Sequence, residues 1–286
     1  MAYLLELLKA LLYGIIFAAT EWLPAGSEAH VLMLEGVLPF ELYTEPEMNR
    51  NFLNLFVPVL QLAAAGSAGA LFFRRLWPFS KRKSPERKRA ILRVWLLTLI
   101  PATLFLTGAV LFLKKAASFI SSPAVIAVIT ILCGAALILG ERFVVRPHVF
   151  ELKEMTLKET GIAGLAQLLS IIPGVSHSGT AILGGRLAGM NRTTAAEFMC
   201  CLAIPSLLGT ALIKLAGVQV QLSLQAVPLL LAGICGVFLS TVFTVRSLVN
   251  YLRSGGLHLF GYYRIIAGLV LLILAVLGVF PEGVIL

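Results

Sequence analysis

Apolar runs about as long as a bilayer is thick recur along the whole chain. Crossing a membrane as helix takes roughly 20 such residues. Six runs meet that length: Phe52–Phe73, Val94–Leu113, Phe119–Leu139, Phe198–Gly217, Ala226–Val245 and Tyr262–Phe280. Four others are shorter or broken by glycine and proline: Leu4–Pro24, His30–Leu38, Gly161–Pro173 and Thr180–Met190. Pieces of about 10–14 residues are too short to span comfortably, so these predict re-entrant or tightly packed segments. The pattern predicts an all-α polytopic membrane protein. The amino terminus is apolar without a basic leader region or a clean cleavage site, and reads as a retained segment.

Composition agrees. Of 286 residues, 59% are hydrophobic and 13% charged, with a mean hydropathy of +0.94. Soluble domains carry about 25% charged residues, which excludes that class. The net charge of +9 does not indicate nucleic acid, because the positives are concentrated. Arg74, Arg75, Lys81, Arg82, Lys83, Arg87, Lys88, Arg89 and Arg93 face one acid, Glu86. By the positive-inside rule, loop 74–93 is expected in the cytoplasm. The acidic stretch with Glu41, Glu45 and Glu47 then suits the opposite face. Cys133, Cys200, Cys201 and Cys235 lie in apolar runs and read as small hydrophobes, with no metal or disulfide spacing.

Two segments share a local pattern. Leu23-Pro24-Ala25-Gly26-Ser27-Glu28-Ala29-His30 and Ile172-Pro173-Gly174-Val175-Ser176-His177-Ser178-Gly179 each end an apolar run with proline and place serine three residues later. Each precedes an apolar span with an internal proline, Pro58 or Pro205. Paired broken segments in two halves of a membrane protein point to a binding site, and exposed helix N-termini there favour an anion. The first segment offers Glu21, Ser27, Glu28 and His30; the second offers Ser170, Ser176, His177, Ser178 and Thr180. Single hydroxyls in membrane helices usually bond a preceding carbonyl. Intramembrane ionisable groups default to function. Together the set fits phosphate chemistry: serine or histidine attacks phosphorus, a carboxylate holds a divalent cation or takes a proton, and glycine N–H groups cradle oxygens. Arg186, Arg192 and Lys214 offer further positive charge, while Arg264 at the head of the last span reads as a snorkelling anchor. His148 and His258 read as ordinary loop residues.

These motifs resemble the bacterial undecaprenyl-diphosphatase family. The first signature is similar over Gly14-Ile15-Ile16 through Thr20-Glu21-Trp22-Leu23-Pro24, with Ser27 and His30, and the second over Pro173 to Thr180. Supporting matches are Gln61-Leu62, Ala195-Ala196-Glu197-Phe198, Leu202-Ala203-Ile204-Pro205 and Tyr262-Tyr263-Arg264-Ile265. The resemblance implies two inverted repeats, about 1–140 and 161–286, joined by a charged loop 141–160, with paired re-entrant helices around a central polar pocket. It implies hydrolysis of undecaprenyl diphosphate to the monophosphate in the bacterial plasma membrane, with Mg2+ or Ca2+ as cofactor and a link to bacitracin resistance. Its partners would be a polyprenyl diphosphate lipid and the bilayer, with a homodimer open. Glu21, Ser27 and His30 inherit catalytic roles. Gly174, Ser176, His177, Ser178 and Thr180 inherit phosphate binding, and Glu21 with Glu28 would hold the metal.

The chain also departs from the family pattern. Phe17 stands where the signature has its first acid, Gly26 replaces the first of two serines, and Glu28 replaces a threonine. His177 replaces an arginine. Arginine grips phosphate with a fixed charged fork, whereas histidine offers one nearby N–H and a conditional charge. Losing such a donor costs about 10²–10³ in rate. These substitutions motivate a second reading, an impaired paralogue that binds or translocates a polyprenyl phosphate.

Overall fold

The computed structural model describes residues 2–80, 83–115, 122–218 and 223–280. Ten α-helices account for most of them: α1 Ala2–Trp22, α2 Ser27–Val37, α3 Pro46–Leu76, α4 Pro85–Lys115, α5 Pro123–Gly140, α6 Leu157–Leu168, α7 His177–Leu187, α8 Arg192–Gly217, α9 Ala226–Tyr251 and α10 His258–Val276. No strand occurs among the described residues. Among the described residues seven helices are long and apolar enough to cross a membrane: α1, α3, α4, α5, α8, α9 and α10.

Two boundaries differ from the hydropathy reading. The run Leu4–Pro24 is not a short piece. It forms the 21-residue helix α1, because Thr20, Glu21 and Trp22 continue the helix past its apolar stretch. The charged stretch 141–160 is not all loop either. Thr156 caps α6 and closes a capping box with Glu159, so the helix starts at Leu157. Positions 119–121 of the third expected span lie outside the described residues.

Local chemistry sets the helix ends. Pro46 and Pro123 open α3 and α5, where a missing N–H costs nothing. The Asn191 side chain accepts from Thr194 N at 2.7 Å and caps α8. α1 packs along α9, and α5 along α10. α3 packs on α8 and α9, and α4 on α8 and α6. Small residues let these backbones approach. A Cβ on Gly14 would strike the Gly233 carbonyl oxygen, and one on Gly134 would lie 2.6 Å from the Gly261 oxygen. Gly14→Leu is therefore expected to lower the melting temperature in detergent by several degrees. Gly161→Ala, whose new methyl meets nothing within 4 Å, should leave it unchanged or raise it. Equal melting of wild type and Gly14→Leu would refute the close α1–α9 contact.

Polar ties hold the first two helices together. Lys9 pairs with Glu6 at 2.7 Å and donates to the Pro39 carbonyl at 2.7 Å, and Glu6 accepts from Glu41 N at 3.1 Å. The stretch after α2 is thereby fastened to the start of α1. This brings the turn at the other end of the pair, residues 23–26, to a fixed place inside the bundle.

Candidate active site

Glu21 occupies the last turn of α1, and Ser27 is the first residue of α2. Between them the chain reverses through Gly26, whose φ of 91° is a conformation other residues adopt only with strain. The reversal sets Ser27 Oγ donating to Glu21 Oε2 at 2.5 Å, with both side chains buried. Gly26 caps α2 without a side-chain hydrogen bond. The first N–H groups of that helix thus have no intrahelical partner and favour an anion.

The second turn is built in the same manner. Ile172 is extended ahead of Pro173, and Gly174 has φ 89°. Ser176 caps α7 by accepting from Gly179 N at 3.1 Å. Three ties join the turns. Gly174 N donates to Glu28 Oε2 at 3.0 Å, and Ser178 Oγ donates to the Leu23 carbonyl at 2.7 Å. Arg264, fully buried on α10, donates from Nη2 to the Gly174 carbonyl at 2.5 Å. Its Nη1 lies 2.6 Å from the place a Gly26 Cβ would occupy.

A cavity of about 130 Å³ opens at this junction. That is space for roughly ten waters, enough for a diphosphate headgroup but not for a lipid tail. Glu21, Ser27, Glu28, Gly174, Ser176 and His177 line it, with Gln61 of α3, Phe105 of α4, and Thr210 and Lys214 of α8. The two proline-broken segments, separated by about half the chain, therefore meet at one cavity, where their polar side chains share the wall with apolar ones.

His30, Ser178 and Thr180 are not on the cavity wall. His30 Nδ1 faces the Gly26 carbonyl at 2.7 Å, so it carries the proton, and Nε2 accepts from Tyr263 OH at 2.6 Å. The two rings stack 5.6 Å apart. Both imidazole nitrogens are engaged in holding the first turn. Thr180 Oγ1 bonds the Ser176 carbonyl at 2.9 Å, and Ser178 is engaged with Leu23. His177 does reach the cavity. Its Nε2 meets the Gln167 amide, which in turn donates to Ser206 Oγ at 3.0 Å. Phe105 packs edge-on against the ring, and Nδ1 is buried without a hydrogen bond.

Arg264 is no snorkelling anchor: its side chain is buried among the two turns, far from the role its place at the head of a span suggested. His148 and His258 pair with Glu159 at 3.5 Å and Glu141 at 3.3 Å, away from the cavity. Among the described residues no group of three His, Cys, Asp or Glu is placed to hold a metal. What the cavity offers is two carboxylates, Glu21 and Glu28, each with one oxygen engaged and Oε1 free of hydrogen bonds among the described residues. That donor set suits magnesium, which binds through one or two carboxylates together with substrate phosphates and water.

Comparison with known proteins places the chain in a family. The family model described as bacitracin resistance protein BacA matches residues 10–270. The chain belongs to this family. It is 32% identical over 268 residues to a Lachnoclostridium phytofermentans protein named undecaprenyl-diphosphatase, covering 92% of this chain and 95% of that one. Undecaprenyl-diphosphatase 1 of Clostridioides difficile is 31% identical over 271 residues, 94% of this chain and 96% of the relative. A Streptococcus pneumoniae undecaprenyl-diphosphatase is 32% identical over 285 residues, 97% of this chain and 99% of its own length.

The motif reading gives no site role to three residues that hold this site, although Tyr263 and Arg264 stand in one of its supporting matches. Tyr263 and Arg264 act from 233 and 90 positions away in sequence, on His30 and Gly174 respectively. Gln167, which holds His177, stands ten residues before it. The signal available for Arg264 was its charge within an apolar run, which in a membrane protein marks function by default.

Proposed function

We propose that this protein hydrolyses undecaprenyl diphosphate to undecaprenyl phosphate and inorganic phosphate, in the bacterial plasma membrane. The observation that carries the reading is the Ser27–Glu21 hydrogen bond of 2.5 Å on the wall of a cavity between two helix-breaking turns. A nucleophile and a base within hydrogen-bond reach are what phosphoryl transfer to serine requires. Glu21 takes the Ser27 proton as Oγ bonds to the terminal phosphorus. The bridging P–O bond breaks, and its electron pair leaves on the lipid monophosphate, which Glu21 then protonates. Water next attacks the serine-bound phosphate, giving its proton to Glu21; the Oγ–P bond breaks, Glu21 returns that proton to Oγ, and phosphate leaves. The uncapped N-terminus of α2 holds the phosphate oxygens during these steps, with the His177 side chain on the same cavity wall. His30, bonded to Tyr263 and Gly26, fixes the turn that carries Ser27. Bound magnesium would be held by Glu28 and Glu21 and would offset phosphate charge.

Two inverted halves, α1–α5 and α6–α10, complete the proposal. The packing supports it: exchanging each helix with the one five later maps α1·α9 on α6·α4, α1·α2 on α6·α7, α3·α9 on α8·α4 and α2·α10 on α7·α5. α3·α8 and α5·α10 map onto themselves. In this reading α1–α2 and α6–α7 are re-entrant pairs from opposite faces, and the basic loop between α3 and α4 is cytoplasmic.

The test is phosphate release from undecaprenyl diphosphate by purified protein with magnesium, from about pH 5 to 8. No release would sink the proposal. His177→Arg is expected to raise the rate at pH 7 by about tenfold, since a guanidinium there adds a charged fork and meets the unpartnered Gln167 Oε1. Unchanged activity would show that position 177 does not touch phosphate. Binding or translocation without hydrolysis has no observation of its own in this structure.

A further inference from the structure

Lys214 is the one lysine or arginine among the residues lining the cavity. It lies in the last turn of α8 and is half-buried. Among the described residues its ammonium makes no hydrogen bond and no ion pair, while Glu21 and Glu28 stand on the same cavity wall. Arg264, the other cation nearby, is behind the two glycine turns and spends its Nη2 on a backbone carbonyl.

The placement on α8 gives the lysine a direction. Leu207, Thr210 and Lys214 all line the cavity, at the i, i+3, i+7 spacing of one helix face. Side chains on a helix lean toward its N-terminus. The Lys214 stem therefore leans back over Thr210, along the wall that runs down to Ser206 and its Gln167–His177 contacts. Eight residues of helix separate Ser206 from Lys214, a rise of about 12 Å.

Charge balance asks for such a group. A lipid diphosphate brings several negative charges into a cavity that already holds two carboxylates. One divalent ion offsets only part of that, and uncompensated charge inside the bundle is costly. An unpaired lysine within a membrane protein is itself a marker of function.

We propose that Lys214 is a substrate-binding residue whose ammonium grips the non-bridging oxygens of the lipid diphosphate from α8. This rests on the diphosphatase reading above. A lysine that merely snorkels from the helix end would affect insertion and stability but not phosphate affinity.

The probe is a non-hydrolysable prenyl methylene-diphosphonate, with affinity measured on purified wild type, Lys214→Gln, Lys214→Met and Lys214→Arg in detergent with magnesium. Melting is followed in parallel. The expected result is about tenfold weaker binding in the Gln and Met variants and near-recovery in the Arg variant, at similar melting temperatures. With undecaprenyl diphosphate as substrate, KM should rise in the same proportion while kcat changes by less than about threefold. Affinity within twofold of wild type in Lys214→Gln or Lys214→Met overturns the proposal, as does an analogue that fails to bind wild type. Wild-type turnover with unaltered analogue affinity in the variants sinks Lys214 alone. Analogue binding that depends on Lys214 without any turnover sinks the diphosphatase reading and keeps the lysine.

Discussion

Glu21→Gln should abolish measurable hydrolysis, lowering kcat by about 10³ while leaving the fold intact. Glutamine has the shape of glutamate, and its carbonyl oxygen still accepts from Ser27 Oγ, which now sits 2.5 Å from Oε2. The turn 23–26 and the packing of Trp22 against Thr241, bonded at 3.0 Å, are untouched by the change. What the amide lacks is basicity and charge. It accepts no proton from Ser27 and gives a cation a much poorer ligand. The two losses act on the same step, so the effect lies above the lower end of the range of about 10²–10⁴ for a single general base. The assay is phosphate release under saturating substrate, with the melting temperature as a control for folding. A kcat within tenfold of wild type would show that Glu21 is neither base nor ligand. Ser27→Ala separates the remaining alternatives: loss as deep as that of Glu21→Gln marks serine as the nucleophile, and substantial residual activity marks a water held by Glu21.

The helices are legible because apolar length is a direct consequence of the bilayer, and the basic cluster of 74–93 falls between two apolar runs. The meeting of Glu21, Ser27, Glu28, Gly174, Ser176 and His177 was legible for a different reason. Polar and ionisable groups within apolar runs have few places to go, and two broken segments offered each other a shelter. Spacing along the chain says nothing where contacts are made across the fold. His30 is three residues from Ser27, yet Ser27, Glu28 and Ala29 face the cavity and His30 turns to Tyr263, a residue 233 positions distant. Ser178 and Thr180 belong to the motif, but a hydroxyl in the first turns of a helix readily finds a carbonyl, and both did. Arg264 was misread because the head of a span is where arginines usually reach for water. Only the packed structure shows it enclosed.

That enclosed arginine carries the other large expected effect. Arg264→Met should reduce activity by about 10² or more even though residue 264 does not line the cavity. Its guanidinium reaches both positive-φ turns at once, bonding the Gly174 carbonyl and lying against Gly26. Removing it leaves the Gly174 oxygen with the 3.4 Å contact from Thr130 as its only side-chain donor among the described residues. A charge-assisted hydrogen bond of this kind is worth about 1.5–3 kcal/mol. Its loss frees the turn that aligns Ser176 and His177 with Ser27, and small misplacements of reacting groups are costly in rate. Arg264→Lys discriminates between charge and geometry. A lysine restores the positive charge near Glu28 but has one ammonium in place of a fork, so it holds one turn and not both. Activity should remain at least tenfold below wild type in Arg264→Lys, with melting closer to wild type than in Arg264→Met. Full rescue by lysine would mean that the two turns need only a nearby charge, and that the fork between Gly26 and Gly174 is incidental to catalysis.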